Sequence, residues 1–122
     1  MKSTSPTQRS LRALRERGYS AAVVERWNPY AKIRQDLFFW IDIVAVRADE
    51  PGVLGVQTTS GANAGARLKK ARGNGALLAW LLAGGRLVIH AWAKRGARGE
   101  RKVWTVKEIV VRVEDLTKPE SQ

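Results

Sequence analysis

One aspartate stands inside an apolar run, and its chemistry needs explaining first. The run is FFWIDIVAV, residues 38–46, in which eight residues are apolar and the ninth is Asp42. Such a run predicts a buried strand, where an ionised carboxylate without a partner is costly. Two explanations fit. Asp42 binds a cation, or it is a structural carboxylate that pairs with an arginine such as Arg34 or accepts backbone N–H groups.

Polar residues of the next strand are candidates to share a site with Asp42. VLGVQTT, residues 53–59, predicts a strand that forms a hairpin with the first run, because turn residues separate the two. Alternate side chains share a strand face, so we expect Asp42 beside Gln57 and Thr59. A hydrated cation is one explanation for this polar set, because Mg²⁺ is typically bound through one or two carboxylates while it keeps several waters. The alternative is that Gln57 and Thr59 merely end a strand.

The charge distribution predicts a polyanionic partner. The chain has 22 basic and 11 acidic residues, and no acidic residue lies between Pro51 and Gly99. Clustered basic charge favours contact with nucleic-acid phosphates, and the alternative is a solvated surface. The residues expected to contact phosphate are Arg34, Arg67, Lys69, Lys70, Arg72, Lys94, Arg95 and Arg98.

Composition excludes several other classes of site. The chain has no cysteine and one histidine, so disulfides, thiolate metal sites and a zinc site built from His and Cys are excluded. His90 alternates with apolar residues on a predicted strand and is expected to be packed and hydrogen-bonded. The N-terminus lacks the apolar core of a signal peptide, and the longest apolar stretch is half of a membrane span. We expect a cytoplasmic protein with no membrane partner.

The pattern along the chain predicts an α/β fold. A first helix has Ser5 as its cap and Gly18 at its end. It is followed by three strands, one or two helices and two strands, with NPYAKIRQD as a turn or loop before the apolar run. The helices form a crossover that can return a parallel strand, so we expect a mixed sheet of about five strands with helices on its faces. The domain is predicted over residues 6–115, with flexible tails at 1–5 and 116–122.

Four segments, GYSAAVVERW, RQDLFFWIDIVAV, GVLGVQTTSG and AGGRLVIHAW, resemble the PD-(D/E)XK nuclease superfamily in their pattern and order. They are most similar to its small Holliday-junction-resolvase-like and VRR-NUC-like members, over roughly residues 8–106. The resemblance implies a restriction-endonuclease-like fold and a divalent-metal-dependent endodeoxyribonuclease that hydrolyses phosphodiester bonds, with branched DNA as a substrate. It also implies DNA rather than RNA as the partner, and a homodimer.

Position by position, the resemblance makes Asp42 the metal-binding aspartate. Gln57 stands where the family has Asp or Glu, so the implied metal ligands are Asp42 and Gln57. Thr59 stands where the family has its catalytic lysine. A threonine carries no positive charge to position and polarise water, so Lys69 or Lys70 on the following helix would have to replace that lysine.

An acidic residue upstream of the aspartate often assists in this superfamily. Glu25 on the predicted first strand, Glu16 at the end of the first helix and Asp36 are the candidates. The implied catalytic set is therefore Asp42, Gln57, Thr59, Glu25 and Lys69.

Three functions stay open at this stage. The first is an endonuclease with a divalent cation at Asp42. The second is a catalytically degenerate module of the same fold that binds nucleic acid or a protein without cleavage. The third is an assembly protein whose basic face meets an acidic partner.

Overall fold

A five-stranded sheet with helices on both faces organises the chain, and the computed structural model describes residues 4–117. None of the helices in this part is long and apolar enough to cross a membrane. The elements are α1 (Pro6–Glu16), β1 (Ser20–Val23), β2 (Arg26–Asn28), β3 (Ile33–Gln35), β4 (Ile43–Val46), β5 (Leu54–Ser60), α2 (Ala64–Ala71), α3 (Gly75–Leu82), β6 (Arg86–Arg95), β7 (Val103–Val111) and α4 (Val113–Thr117).

The five strands lie in the order β1-β4-β5-β6-β7. Neighbours are antiparallel except β5 and β6, which are parallel. A parallel pair needs a crossover, and α2 and α3 supply it. The predictions of a mixed α/β sheet of about five strands and of a hairpin between β4 and β5 are thus confirmed.

Each face of the sheet has its own apolar core. Helix α1 buries Leu11 and Leu14 against Ile43, Val56 and other residues of the first face. The remaining helices cover the second face, whose buried residues are Trp40, Ile41, Ala71, Leu77, Leu87, Ile89, Val111 and Leu116.

Helix α1 begins and ends as its sequence indicates. Ser5 has extended backbone and its side chain accepts a hydrogen bond from Gln8 N, while Pro6 occupies the first helical position. The chain leaves the helix through Gly18, whose φ of +89° is the left-handed region that glycine adopts without strain.

The strand predicted over residues 38–46 is shorter than its apolar character indicates. Strand β4 begins only at Ile43, and a turn precedes it, closed by hydrogen bonds in both directions between Leu37 and Ile41. Phe38 and Phe39 have φ values of 54° and 62°, which a strand cannot contain.

Contacts from later elements stabilise this turn. The buried Trp40 donates its indole N–H to the carbonyl of Arg67 at 2.9 Å. Asn74 donates its amide N–H to the carbonyl of Phe38 at 2.9 Å. Left-handed φ costs a bulky residue about 1–3 kcal/mol, so these tertiary contacts overrule the local preference for strand.

The segment NPYAKIRQD, predicted as a turn or loop, contains a turn but is also the greater part of a two-stranded hairpin. Strands β2 and β3 pair antiparallel as a separate small sheet. The Asn28 side chain accepts hydrogen bonds from Tyr30 N and Ala31 N, which closes the turn between the strands.

A break separates α2, which ends at Ala71, from α3, which Asn74 caps through hydrogen bonds from Ala76 N and Leu77 N. The expected boundaries of the two tails need correction. Residues 116 and 117, expected in a flexible tail, belong to α4, where Leu116 is buried. Ser5, also expected in a tail, caps α1, and residues 1–3 and 118–122 of the two tails lie outside the described residues.

Candidate functional site

Asp42 lies where β4 departs from regular pairing with β5. Its backbone N–H donates to Val56 O at 2.9 Å, and the next residue, Ile43, also faces Val56. Two residues opposite one is the arrangement of a β-bulge, which redirects a side chain. The Asp42 carbonyl accepts from Val24 N on the other side. The backbone of Asp42 is therefore paired with both neighbouring chains.

The carboxylate of Asp42 takes its hydrogen bonds from Thr58. Its Oδ2 atom accepts from Thr58 N at 2.8 Å and from Thr58 Oγ1 at 3.1 Å. The Thr58 hydroxyl also lies 2.7 Å from Thr7 Oγ1 on α1. Asp42 thus accepts a backbone N–H group, which is one of the two structural roles considered for it. The other role, an ion pair with Arg34, is not seen, because Arg34 pairs with Glu25.

Two further acids converge on Asp42. One carboxylate oxygen from each of Glu25, Asp36 and Asp42 lies within 4.8 Å of the others, and Asp42 is the buried member. Asp36 lines an open hollow of about 350 Å³, and the Glu25 side chain is 23% exposed, so two of the three acids are partly open to solvent. We call these three residues the carboxylate cluster.

The hairpin brings the first two acids together. Arg26 pairs with Gln35 at the open end of the β2–β3 ladder, so Glu25 and Asp36 are the next residues outward on each strand. Both were upstream candidates from the sequence. Glu25 was expected on the first strand, but it lies between β1 and β2. Glu16, the third candidate, ends α1 and is not part of the cluster.

Burial dominates the electrostatics of Asp42. Desolvation, together with the nearby carboxyl of Asp36, raises its pKa to about 7, while the hydrogen bonds from Thr58 oppose the rise. Burial therefore favours the protonated form of the Asp42 carboxyl well above its ordinary pKa of 3.8. Three carboxylate oxygens within 4.8 Å of one another are a donor set that fits a hard divalent cation, whose positive charge would offset their mutual repulsion.

Gln57 and Thr59 point away from Asp42. Gly55 lies against Ile41 and Leu87 of the second core, so alternation places Gln57 and Thr59 on that same face. Gln57 donates its amide N–H to Trp40 O at 2.6 Å, and Thr59 lies 3.5 Å from Arg67 Nε. The prediction that Gln57 and Thr59 share a face with Asp42 is wrong, because the bulge turns Asp42 toward Thr58.

The basic residues of the crossover are exposed or take part in structural bonds. Lys69 and Lys70 lie exposed in the last turn of α2, and neither makes an ion pair among residues 4–117. Arg67 is partly buried, and Arg72 donates to Asp115 O at 3.2 Å. Lys69 thus has no contact that links it to the carboxylate cluster.

The second basic segment lies at the β6–β7 turn. Lys94, Arg95 and Arg98 are all exposed there, and Lys94 Nζ lies 5.5 Å from the ring centroid of Trp104. This turn and α2 supply a basic surface, while Arg34 differs from it because its guanidinium lies 3.5 Å from Glu25 in the cluster.

His90 is structural, as its strand position predicts. Its Nδ1 atom lies 2.9 Å from Ser10 Oγ and its Nε2 atom 2.9 Å from Glu108 Oε2. Trp92 also donates to Ser10 Oγ. A serine, a histidine and an acid in line form a nucleophilic triad only if substrate reaches the serine, and Ser10 is fully buried. The network joins α1 to β6 and β7.

Comparisons of this chain with protein-family models, with curated proteins and with solved structures give no match.

Thr58 is the site residue that the sequence analysis did not identify. A threonine in a β-prone segment carries no distinguishing signal, and its role depends on the bulge at Asp42. The sequence did contain a signal that Glu25 and Asp36 lie close together. Asn28 is a turn residue, and an antiparallel hairpin around it brings residues on its two sides together.

Proposed function

We propose that the chain is a divalent-cation-dependent endodeoxyribonuclease whose cation is held by the carboxylate cluster. The observation that carries the proposal is the convergence of Glu25, Asp36 and the buried Asp42 within 4.8 Å. It refines the ligand set expected from the sequence, since Glu25 and Asp36 replace Gln57 beside Asp42.

The residues of the site have different roles in the proposed reaction. Asp42 is oriented by Thr58, and the partly exposed Glu25 and Asp36 would hold a cation between Asp42 and solvent. A divalent cation held there supplies neutralisation of phosphodiester charge and activation of water. The Arg34 guanidinium beside Glu25 is placed to contact a phosphate at the same point.

The charge of the surface supports nucleic acid as substrate. The chain carries a net charge of +11, and the exposed Lys69, Lys70, Lys94, Arg95 and Arg98 offer phosphate contacts away from the cluster. Such contacts position a strand without reading its sequence. Binding should weaken steeply with salt.

One observation favours a second candidate, a module that binds nucleic acid without cleaving it. In the described part of the chain the carboxylate cluster has one ion pair, Arg34 with Glu25, and no lysine. A site without a lysine to position and polarise the attacking water hydrolyses phosphodiesters poorly. An activity assay decides between the two functions.

The test combines cleavage with direct measurement of metal binding. Supercoiled, linear and four-way-junction DNA are incubated with Mg²⁺ or Mn²⁺, and calorimetry measures Mn²⁺ binding at pH 8. We expect both signals to be lost in Asp42→Asn and Asp36→Asn and retained in Glu114→Gln, which removes an exposed acid of α4. Mn²⁺ binding without cleavage would favour the binding module, and unchanged cleavage in Asp42→Asn would overturn the proposal.

A further inference from the structure

The β2–β3 hairpin carries large aromatic rings in solvent. Trp27 is 57% exposed and Tyr30 is 97% exposed, and Phe39 beside the hairpin is 69% exposed. Within residues 4–117, no aromatic ring or cation is stacked on Trp27 or Tyr30. Exposed aromatic rings grouped on one element mark a binding surface, because water is a poor partner for them.

The charge of the hairpin is entirely positive. Residues 26–35 include Arg26, Lys32 and Arg34 and no acid. Trp27 and Arg34 are direct cross-strand partners, so the indole and a guanidinium lie on one face of the ladder. A ring beside a guanidinium matches a nucleotide, whose base stacks and whose phosphate pairs with the cation.

The same face leads to the carboxylate cluster. Glu25 immediately precedes β2 and Asp36 immediately follows β3, and the Arg34 guanidinium on the Trp27 face lies 3.5 Å from Glu25. Two residues along a β-strand span about 7 Å. A nucleic-acid strand bound on the hairpin therefore has a phosphate within reach of the carboxylate cluster.

We propose that the β2–β3 hairpin binds unpaired nucleotides by stacking their bases on Trp27 and Tyr30, with Arg34 and Lys32 on their phosphates. The inference rests on the nucleic-acid binding of the proposed function and adds the substrate class, a strand with unpaired bases beside the cluster. Paired bases are already stacked on each other, and exposing them to the rings costs a few kcal/mol per step.

Charge argues against a second copy of the chain as the occupant. A symmetric dimer through this hairpin would place one segment with three cations and no acid against its twin. A nucleic acid strand supplies both the opposite charge and the flat apolar partners.

The test measures binding in EDTA, so that it is independent of any cleavage. A labelled single strand, a blunt duplex and an abasic strand of equal length are compared by fluorescence anisotropy. The single strand should bind about 10-fold more tightly than the abasic strand. Trp27→Ala and Tyr30→Ala should each weaken binding of the single strand by about 5- to 100-fold and leave the abasic strand unchanged.

The matched control is Leu82→Ala, which removes an exposed apolar side chain from the end of α3 and should not change affinity. Equal affinity of the Trp27→Ala variant and the parent chain for the single strand would overturn the inference, while cation-dependent cleavage would still support the proposed function. Loss of self-association in Trp27→Ala without a change in DNA affinity would also overturn it. Ring-dependent binding without cleavage would support the hairpin's role and count against the endonuclease.

Discussion

One oxygen of Asp42 accepts two hydrogen bonds from the same residue, Thr58, through its backbone N–H at 2.8 Å and its hydroxyl at 3.1 Å. The hydroxyl is in turn 2.7 Å from Thr7 on α1. This chain of contacts fixes the direction of a buried carboxylate by means of the strand and the helix together. The second oxygen, Oδ1, is the one that Thr58 does not use.

The first prediction concerns the Thr58 hydroxyl. Thr58→Val keeps the shape of the side chain and the backbone N–H but removes a donor that favours ionised Asp42, so the pKa of Asp42 should rise. The pH at which Mn²⁺ binding reaches its full affinity should therefore rise. The free energy of unfolding should fall by about 1 kcal/mol. Calorimetry across pH measures the shift. Thr105→Val, at an exposed site on β7, is the control, and an identical shift in both variants would contradict the role of Thr58.

The second prediction concerns Asp42 and stability. Its pKa is about 7 in the folded chain, above the ordinary value of 3.8, so between these values the folded state binds more protons than the unfolded state. Stability must therefore fall as pH rises from about 4 to 7, and the full cost is present above pH 7. The side chain introduced by Asp42→Asn cannot ionise, but its carbonyl oxygen can still accept a hydrogen bond from Thr58 N.

Thermal unfolding in EDTA measures this effect. The variant should be more stable than the parent chain at pH 8, by up to about 4 kcal/mol, and the difference should shrink toward pH 4. A difference that does not change with pH would show that Asp42 is ionised throughout.

The third prediction concerns Glu108, whose titration has the opposite sign. Its hydrogen bond from His90, assisted by Arg17, lowers its pKa to about 2, below the ordinary value of 4.5. This stabilisation is present above pH 4.5 and is lost as pH falls from 4.5 toward 2.

Glu108→Gln should therefore destabilise the chain at pH 7 by about 1–2 kcal/mol, mainly because His90 loses a charged partner. Urea unfolding at pH 7 and near pH 2 should show the difference between the variant and the parent chain disappear at the lower pH. Glu100→Gln, in the exposed β6–β7 turn, should have no comparable effect.

The fourth prediction compares two glycines with opposite expected signs. A Cβ at Gly52 would lie 2.2 Å from the carbonyl oxygen of Gly84, and its φ is +82°. Gly52→Ala should cost more than about 2 kcal/mol, because backbone on both sides would have to move. Gly65 lies in α2 with nothing within 4 Å of the added atom, so Gly65→Ala should stabilise by about 0.5–1 kcal/mol. Urea midpoints compare the two, and stabilisation by both would contradict the packing at Gly52.

Local sequence was sufficient for the elements whose signals are local. The cap at Ser5, the stop at Gly18 and the helical crossover between β5 and β6 depend on neighbouring residues, and each is where the pattern predicts it. The sequence also indicated that Asp42 is important, because a charged side chain in an apolar run must have a partner. Charge clustering likewise located the basic surface.

Only the tertiary structure decided what Asp42 meets. The turn at Phe38 and Phe39 runs against their strand preference, and it persists because Trp40 is bonded to Arg67, 27 residues further along the chain. The bulge then turns Asp42 toward Thr58, where alternation alone predicted Gln57.

The carboxylate cluster likewise depends on contacts between distant segments. Glu25 and Asp36 meet because of the register of a short hairpin, and both lie near Asp42 because Val24 N donates to Asp42 O and Leu37 pairs with Ile41. Periodicity reports which side chains share a face of one strand. It carries no information about a bulge or a strained turn, since their energies come from residues remote in sequence.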